Sequence, residues 1–155
     1  MTNIPFEQIP ESLMACMLQT EKYVNSLNII DEKQMELMRS HASMINGCAY
    51  CVDMHFKEAM AAGEQEQRLY SLPVWKKTNF YTDAEQALLA WTESLTDIKK
   101  DADGLQDAFE MMQQHFSVDD IANLTLAVVQ INSWTRLAKA FGFEPGSYQV
   151  GQFNH

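Results

Sequence analysis

Four residues that open helices, Pro10, Asp31, Thr82 and Ser117, each stand directly ahead of apolar residues spaced three and four apart. An α-helix turns about 100° per residue, so this spacing gathers apolar side chains on one stripe that must be buried against other helices. Pro10 precedes Leu13, Met14, Met17, Leu18 and Val24, and proline suits a helix start because its missing N–H would find no partner there. Asp31 precedes Met35, Met38, Ala42 and Ile45, and Asn46-Gly47 stops that segment. Thr82 with Glu85 has the spacing of a capping box, and Ser117 with Asp120 opens the longest segment, closed by Gly142. A further helix begins near Cys48 and stops at Gly63. A short helix and then a loop around Pro73 follow, and another helix covers residues 105–116 after a break at "DADG", 101–104. The tail beyond Pro145 reads as irregular. With no series of alternating strands and no linker, the chain is predicted to be all-α, with about six to seven helices in a single domain over residues 1–155.

The formal net charge of −10 argues against nucleic acid or an anionic membrane surface as partner, and an uncharged or apolar substrate is easier to accommodate than an acidic one. No run is apolar for long enough to span a bilayer, and the start "MTNIPFEQIPESL" lacks the basic and apolar parts of an export signal. The expected location is the reducing cytoplasm, where a disulfide is usually catalytic or sensory. Three cysteines cannot pair fully, so the chain reads as a reactive Cys48-x-x-Cys51 dithiol plus Cys16, which is expected in the core.

Cys48, Cys51 and His55 are spaced three and four apart and share one helical stripe, while Tyr50 points elsewhere. Cys48 and Cys51 can close a disulfide in the first turn. Cys48 stands at the helix start, where unpaired N–H groups favour a thiolate. His55, one turn beyond Cys51, can hydrogen-bond its sulfur or move its proton. The short connection at Asn46-Gly47 folds the flanking helices back on each other, which brings Glu36 opposite His55 to Glu58. Glu36, Ser40, Ser43 and Gly47 form a small polar stripe suited to a reaction pocket. Two inert cysteines, or a zinc site of Cys48, Cys51, His55 and Glu36, are the rival readings; structural zinc usually draws its second pair from another loop, and no metal or cofactor is expected.

The run "ELMRSHASMINGCAYCVDMHFKEAMAAG" resembles the alkylhydroperoxidase D-like group within the carboxymuconolactone decarboxylase family. That pattern is a Glu twelve residues before a Cys, then Cys-x-x-Cys, then His four further on, matched by Glu36, Cys48, Cys51 and His55. Tyr50 matches a position often Tyr or His, whereas His41 stands where many small relatives have Arg and Thr135 where Asn is expected. The likeness extends over about residues 30 to 143. It implies an all-α fold, assembly as trimers or hexamers, and a thiol-dependent peroxidase reaction on hydroperoxides. In that reaction Cys51 would become the sulfenic acid, Cys48 would resolve it, Glu36 and His55 would relay the proton, and an external dithiol of lipoyl or thioredoxin-like type would restore the thiols.

Helix-start placement alone favours Cys48 as the more acidic thiol; the histidine and the resemblance favour Cys51. Tyr50 and His41 are candidate binding residues, His41 having a surface or interface role as its rival. His115 is read as complementing a helix end, His155 as a tail residue, and the methionines with Trp91 and Trp134 as core and subunit interface. A redox-sensing or dithiol-exchange protein would use the same disulfide without rapid turnover. A cofactor-free lactone decarboxylase would have no need of a dithiol.

Overall fold

The computed structural model describes residues 2–99 and 104–153. Among them it forms seven α-helices: α1 (Glu11–Asn25), α2 (Glu32–Ile45), α3 (Ala49–Ala61), α4 (Glu66–Tyr70), α5 (Asp83–Thr96), α6 (Gly104–Gln113) and α7 (Val118–Phe141). The fold is all-α, as the sequence predicts. The start signals operate as full capping boxes at Asp31, Thr82 and Ser117, each closed by the residue three further on; Gln34 is the partner of Asp31. Each box satisfies helix-start N–H groups that would otherwise lack partners. Around Pro73 the expected loop is wound into a 3-10 segment, Leu72–Lys77, interrupted at Val74. A second short 3-10 turn, Phe6–Gln8, precedes Pro10. Of the break at 101–104 only Gly104 lies within the described residues, and His155 lies outside them.

Helix α2 is the axis of the molecule. It packs against α3, α5 and α7, and all nine residues from Met35 to Ser43 are buried. Its apolar stripe of Met35, Met38 and Ala42 meets Leu88 and Trp91 of α5, Met112 of α6, and Leu124, Val128 and Ile131 of α7. Burying each such large side chain contributes about 1.5–3 kcal/mol. An adjoining face of α2 carries Glu36, Arg39, Ser40 and Ser43 into the interior, and His41 is buried on a third side. Buried polar groups are costly unless hydrogen-bonded, so α2 can be central only if this second face is paired.

The α2–α3 connection is as tight as the sequence implies. Gly47 takes a left-handed conformation (φ 60°), and the Cys48 N–H donates to the Ser43 carbonyl at 3.1 Å. Helix α7 clamps the turn through Asn132 to the Asn46 side chain (2.9 Å) and Lys139 to the Asn46 carbonyl (2.7 Å).

Helix α1 differs from expectation. Only Val24 is fully buried, and Cys16, expected in the core, is exposed. Cys16 lies two residues from both Met14 and Leu18, so the helical turn carries it to roughly the opposite side of their stripe. Among the described residues no helix is long and apolar enough to cross a membrane.

Candidate active site

Cys48 is the N-cap of α3, and its sulfur accepts the Cys51 N–H at 3.3 Å. The two cysteines are joined as a disulfide, with Cα atoms 5.3 Å apart. One turn on, His55 is buried on the same stripe. Its Nδ1 is 2.7 Å from Glu36 Oε2 across the α2–α3 hairpin. The reflection about Asn46-Gly47 thus brings Glu36 directly onto the histidine.

The other Glu36 oxygen accepts from Arg39 Nη1 at 2.7 Å. Arg39 Nη2 donates to Glu21 Oε1 of α1 (2.6 Å) and to Asn25 (2.7 Å), and Trp134 Nε1 of α7 donates to Glu21 Oε2 (2.9 Å). One chain of charge-assisted hydrogen bonds therefore runs from α3 through α2 to α1 and α7, and it pairs the buried charges of Glu36 and Arg39. Burial pushes the Glu36 carboxyl up, but the adjoining His55 and Arg39 outweigh it and hold the group at about 2. Glu36 is therefore a carboxylate at any physiological pH. A carboxylate only accepts, so His55 Nδ1 donates to it, which leaves Nε2 as the nitrogen that can take a proton.

A cavity of about 530 Å³ opens in front of these groups. Cys51, His55, Glu36 and Arg39 border it, as do Tyr50 and Tyr148. Cys48 does not border it; its side chain lies beside Ala138 and Phe143. Tyr50, a predicted binding residue, reaches the cavity and meets Phe143 edge-on at 5.4 Å between ring centres. Burial, with Asp53 nearby, pushes the Tyr50 hydroxyl upward, so it remains a donor at neutral pH.

His41, the other predicted binding residue, does not join the site. It is buried against Trp75, with Nε2 3.3 Å from Glu93 Oε1, and lies off the cavity. Position 41 is five residues from Glu36, about 140° around the helix, which turns it toward α5.

Four further residues emerge from the structure. Arg39 was within reach of sequence reasoning, since it stands three residues from Glu36 on the same face. Glu21, Trp134 and Tyr148 carried no local signal, because their partners lie far along the chain. Tyr148 donates to Glu58, which also accepts the Gly151 N–H at 2.9 Å. Lys57 donates to the Tyr148 carbonyl (3.2 Å), and the Gly146 N–H donates to Asp53 (3.0 Å). The irregular tail is thus tied along α3, with Phe143, Tyr148 and Phe153 on the cavity. His115 is exposed just beyond α6, beside Phe116.

Residues 11–94 match the model of the Carboxymuconolactone decarboxylase family. The uncharacterized protein YdfG of Bacillus subtilis (strain 168) is 37% identical over 139 residues, 88% of this chain and 91% of that protein. A protein of unknown function from Agrobacterium tumefaciens, with a proposed role in AhpD antioxidant defence, superposes with a TM-score of 0.88 at 34% identity, over 96% of this chain and all of that one. An alkylhydroperoxidase AhpD core from Ralstonia eutropha JMP134, a peroxidase-related protein, gives a TM-score of 0.75 at 16% identity, over 88% of this chain and 72% of that one, and at that distance the likeness is one of fold. The family match spans the stretch that supplies Glu21, Glu36, Arg39, the dithiol and His55, and the chain belongs to the carboxymuconolactone decarboxylase family.

Proposed function

We propose that this protein is a thiol-dependent peroxidase that reduces hydroperoxides through a Cys48/Cys51 dithiol–disulfide cycle. The observation that supports it most is the position of Cys51: it borders the cavity, shares its floor with the Glu36–His55 pair, and is already bonded to Cys48 behind it. Family membership by itself does not choose the reaction, since the name covers decarboxylation; the reaction follows from the residues at the site.

In the reduced protein His55 Nε2 takes the Cys51 proton, and the thiolate attacks the hydroperoxide O–O bond. An S–O bond forms, the O–O bond breaks, and the departing alkoxide recovers the proton from His55 as an alcohol. Glu36 stabilises the imidazolium between those steps. The Cys48 thiol then attacks the Cys51 sulfenic acid, forming the disulfide and releasing water before further oxidation. An external dithiol returns the two electrons and two protons. Of the two sulfurs Cys51 faces the cavity, so the reductant's thiolate attacks there and expels Cys48 as a thiolate, stabilised by the Cys51 N–H and the α3 start. A slender arm such as a lipoyl group suits this route better than a blunt thioredoxin-like surface. This cycle requires a reducing compartment such as the cytoplasm. We further propose self-association as a trimer or hexamer, as the family resemblance implies.

The test is hydroperoxide consumption with excess dithiol. Many turnovers per protein support the peroxidase; a single stoichiometric loss identifies a sensor or exchange protein with the same disulfide. Lactone decarboxylation that survives in a Cys48→Ser/Cys51→Ser protein would move the assignment to that chemistry.

A further inference from the structure

The cavity in front of Cys51 has a charge balance that thiol chemistry alone does not require. Its wall is apolar, formed by Met14, Leu18, Ile30, Met54, Phe143 and Phe153. Its charged lining is acidic: Glu21, Asp31, Glu32, Glu36 and Glu58 border it, and among the described residues Arg39 is the one Lys or Arg that does. The guanidinium charge is already matched, because Arg39 sits between Glu36 at 2.7 Å and Glu21 at 2.6 Å. An incoming carboxylate would exchange water for a surplus of like charge without a free cation to meet it. An uncharged body loses little on entry and gains the apolar wall.

We propose that this cavity admits hydroperoxides with an uncharged, apolar body, excludes those whose body carries a carboxylate, and owes that selection to Glu21. This rests on the peroxidase reading above. Glu21 is the carboxylate of the Arg39 pair that does not also hold His55, and its side chain is 22% exposed. It also accepts the Trp134 indole N–H, which fixes it at the cavity wall. Neutralising it leaves Arg39 with one counter-charge fewer and offers an anionic body a cation. The O–O cleavage is the same for both kinds of substrate, so any difference in rate reports the cavity.

The experiment compares cumene hydroperoxide with its para-carboxylated derivative, using the full-length protein and excess dithiothreitol. The neutral substrate is expected to have a kcat/KM about tenfold higher or more, the scale of one unit-charge interaction at several ångströms in a partly hydrated site. Raising the ionic strength should narrow the gap, and Glu21→Gln should narrow it about threefold or more, again on the scale of a single screened charge. Equal kcat/KM for the two substrates overturns the proposal, as does a gap insensitive to salt or one that Glu21→Gln leaves unchanged. Where the variant does not fold, the salt series on the wild-type protein decides whether charge sets the selection, and a gap that salt leaves unchanged overturns the proposal.

A second arm uses the corresponding alcohols, which have no O–O bond, titrated by calorimetry. A preference for the neutral alcohol without peroxide turnover supports the selection and removes the peroxidase reading. Turnover without preference in either arm removes the selection alone, and binding of neither alcohol together with no peroxide turnover removes both readings.

Discussion

The two sides of α2 present similar apolar side chains and arrive at opposite states. Toward α5, α6 and α7, Met38, Leu88, Met112, Leu124 and Val128 are at most 2% exposed and belong to one buried cluster. Toward α1 and the C-terminal tail, Met14, Leu18, Leu27, Ile30, Met54, Phe143 and Phe153 remain half-buried or exposed around an open cavity. Three- and four-residue spacing announces which face of a helix is apolar. Whether that face meets another close-packed face or stands off as a wall depends on partners distant in sequence. The site lies where the two regimes meet, with Glu36 and Arg39 buried in α2 and their charge turned toward the open side.

The largest expected effect separates chemistry from packing. Cys51→Ser should lower peroxide turnover about a thousandfold or more, because its thiolate is the proposed nucleophile, while the unfolding midpoint of the reduced protein barely moves. A coupled assay and a denaturant titration on one preparation check both halves. Substantial residual turnover would detach the cavity from the reaction.

Next comes the carboxylate that joins the two sides. Glu36→Gln should cost about 10²- to 10⁴-fold in turnover, the usual reach of a general acid–base system, because the amide no longer holds His55 Nδ1–H with a full charge. The same change has a signature in acid. The folded-state value of Glu36 lies at about 2, below its ordinary 4.5. Its stabilisation is thus fully present above about pH 4.5 and is lost as pH falls toward 2. Glu93 is also held at about 2, since His41, Lys76 and Trp75 outweigh its burial. Acid unfolding followed by circular dichroism should therefore become shallower in Glu36→Gln without becoming flat.

A smaller contrast sharpens the comparison itself. Leu124→Ala, in the filled side, should lower the free energy of unfolding by about 2–5 kcal/mol. Leu18→Ala, in the cavity wall and 37% exposed, should cost under about 1 kcal/mol yet raise KM for an apolar hydroperoxide. Equal stability losses would mean that the wall is core after all.

Much of this was legible in the sequence. Asp31, Thr82 and Ser117 advertise their helices by local chemistry, and the shortness of Asn46-Gly47 sufficed to bring Glu36 onto His55. What escaped depended on tertiary partners. The α1 stripe looks like core and is cavity wall, and Cys16, expected in the core, faces out. His41 lies beside the polar stripe in sequence but about 140° from Glu36 around α2. Glu21 and Trp134 are 113 residues apart, and no local pattern links them.

The proposed cycle depends on Cys51, which borders the cavity, being the sulfur that meets the hydroperoxide. Mass spectrometry of reduced Cys48→Ser and Cys51→Ser proteins after a modest hydroperoxide dose tests it most directly. A sulfenic acid is expected on Cys51 in the first protein, and unmodified Cys48 in the second. Rapid oxidation of Cys48 in the Cys51→Ser protein, with Cys51 inert in the other, would contradict it.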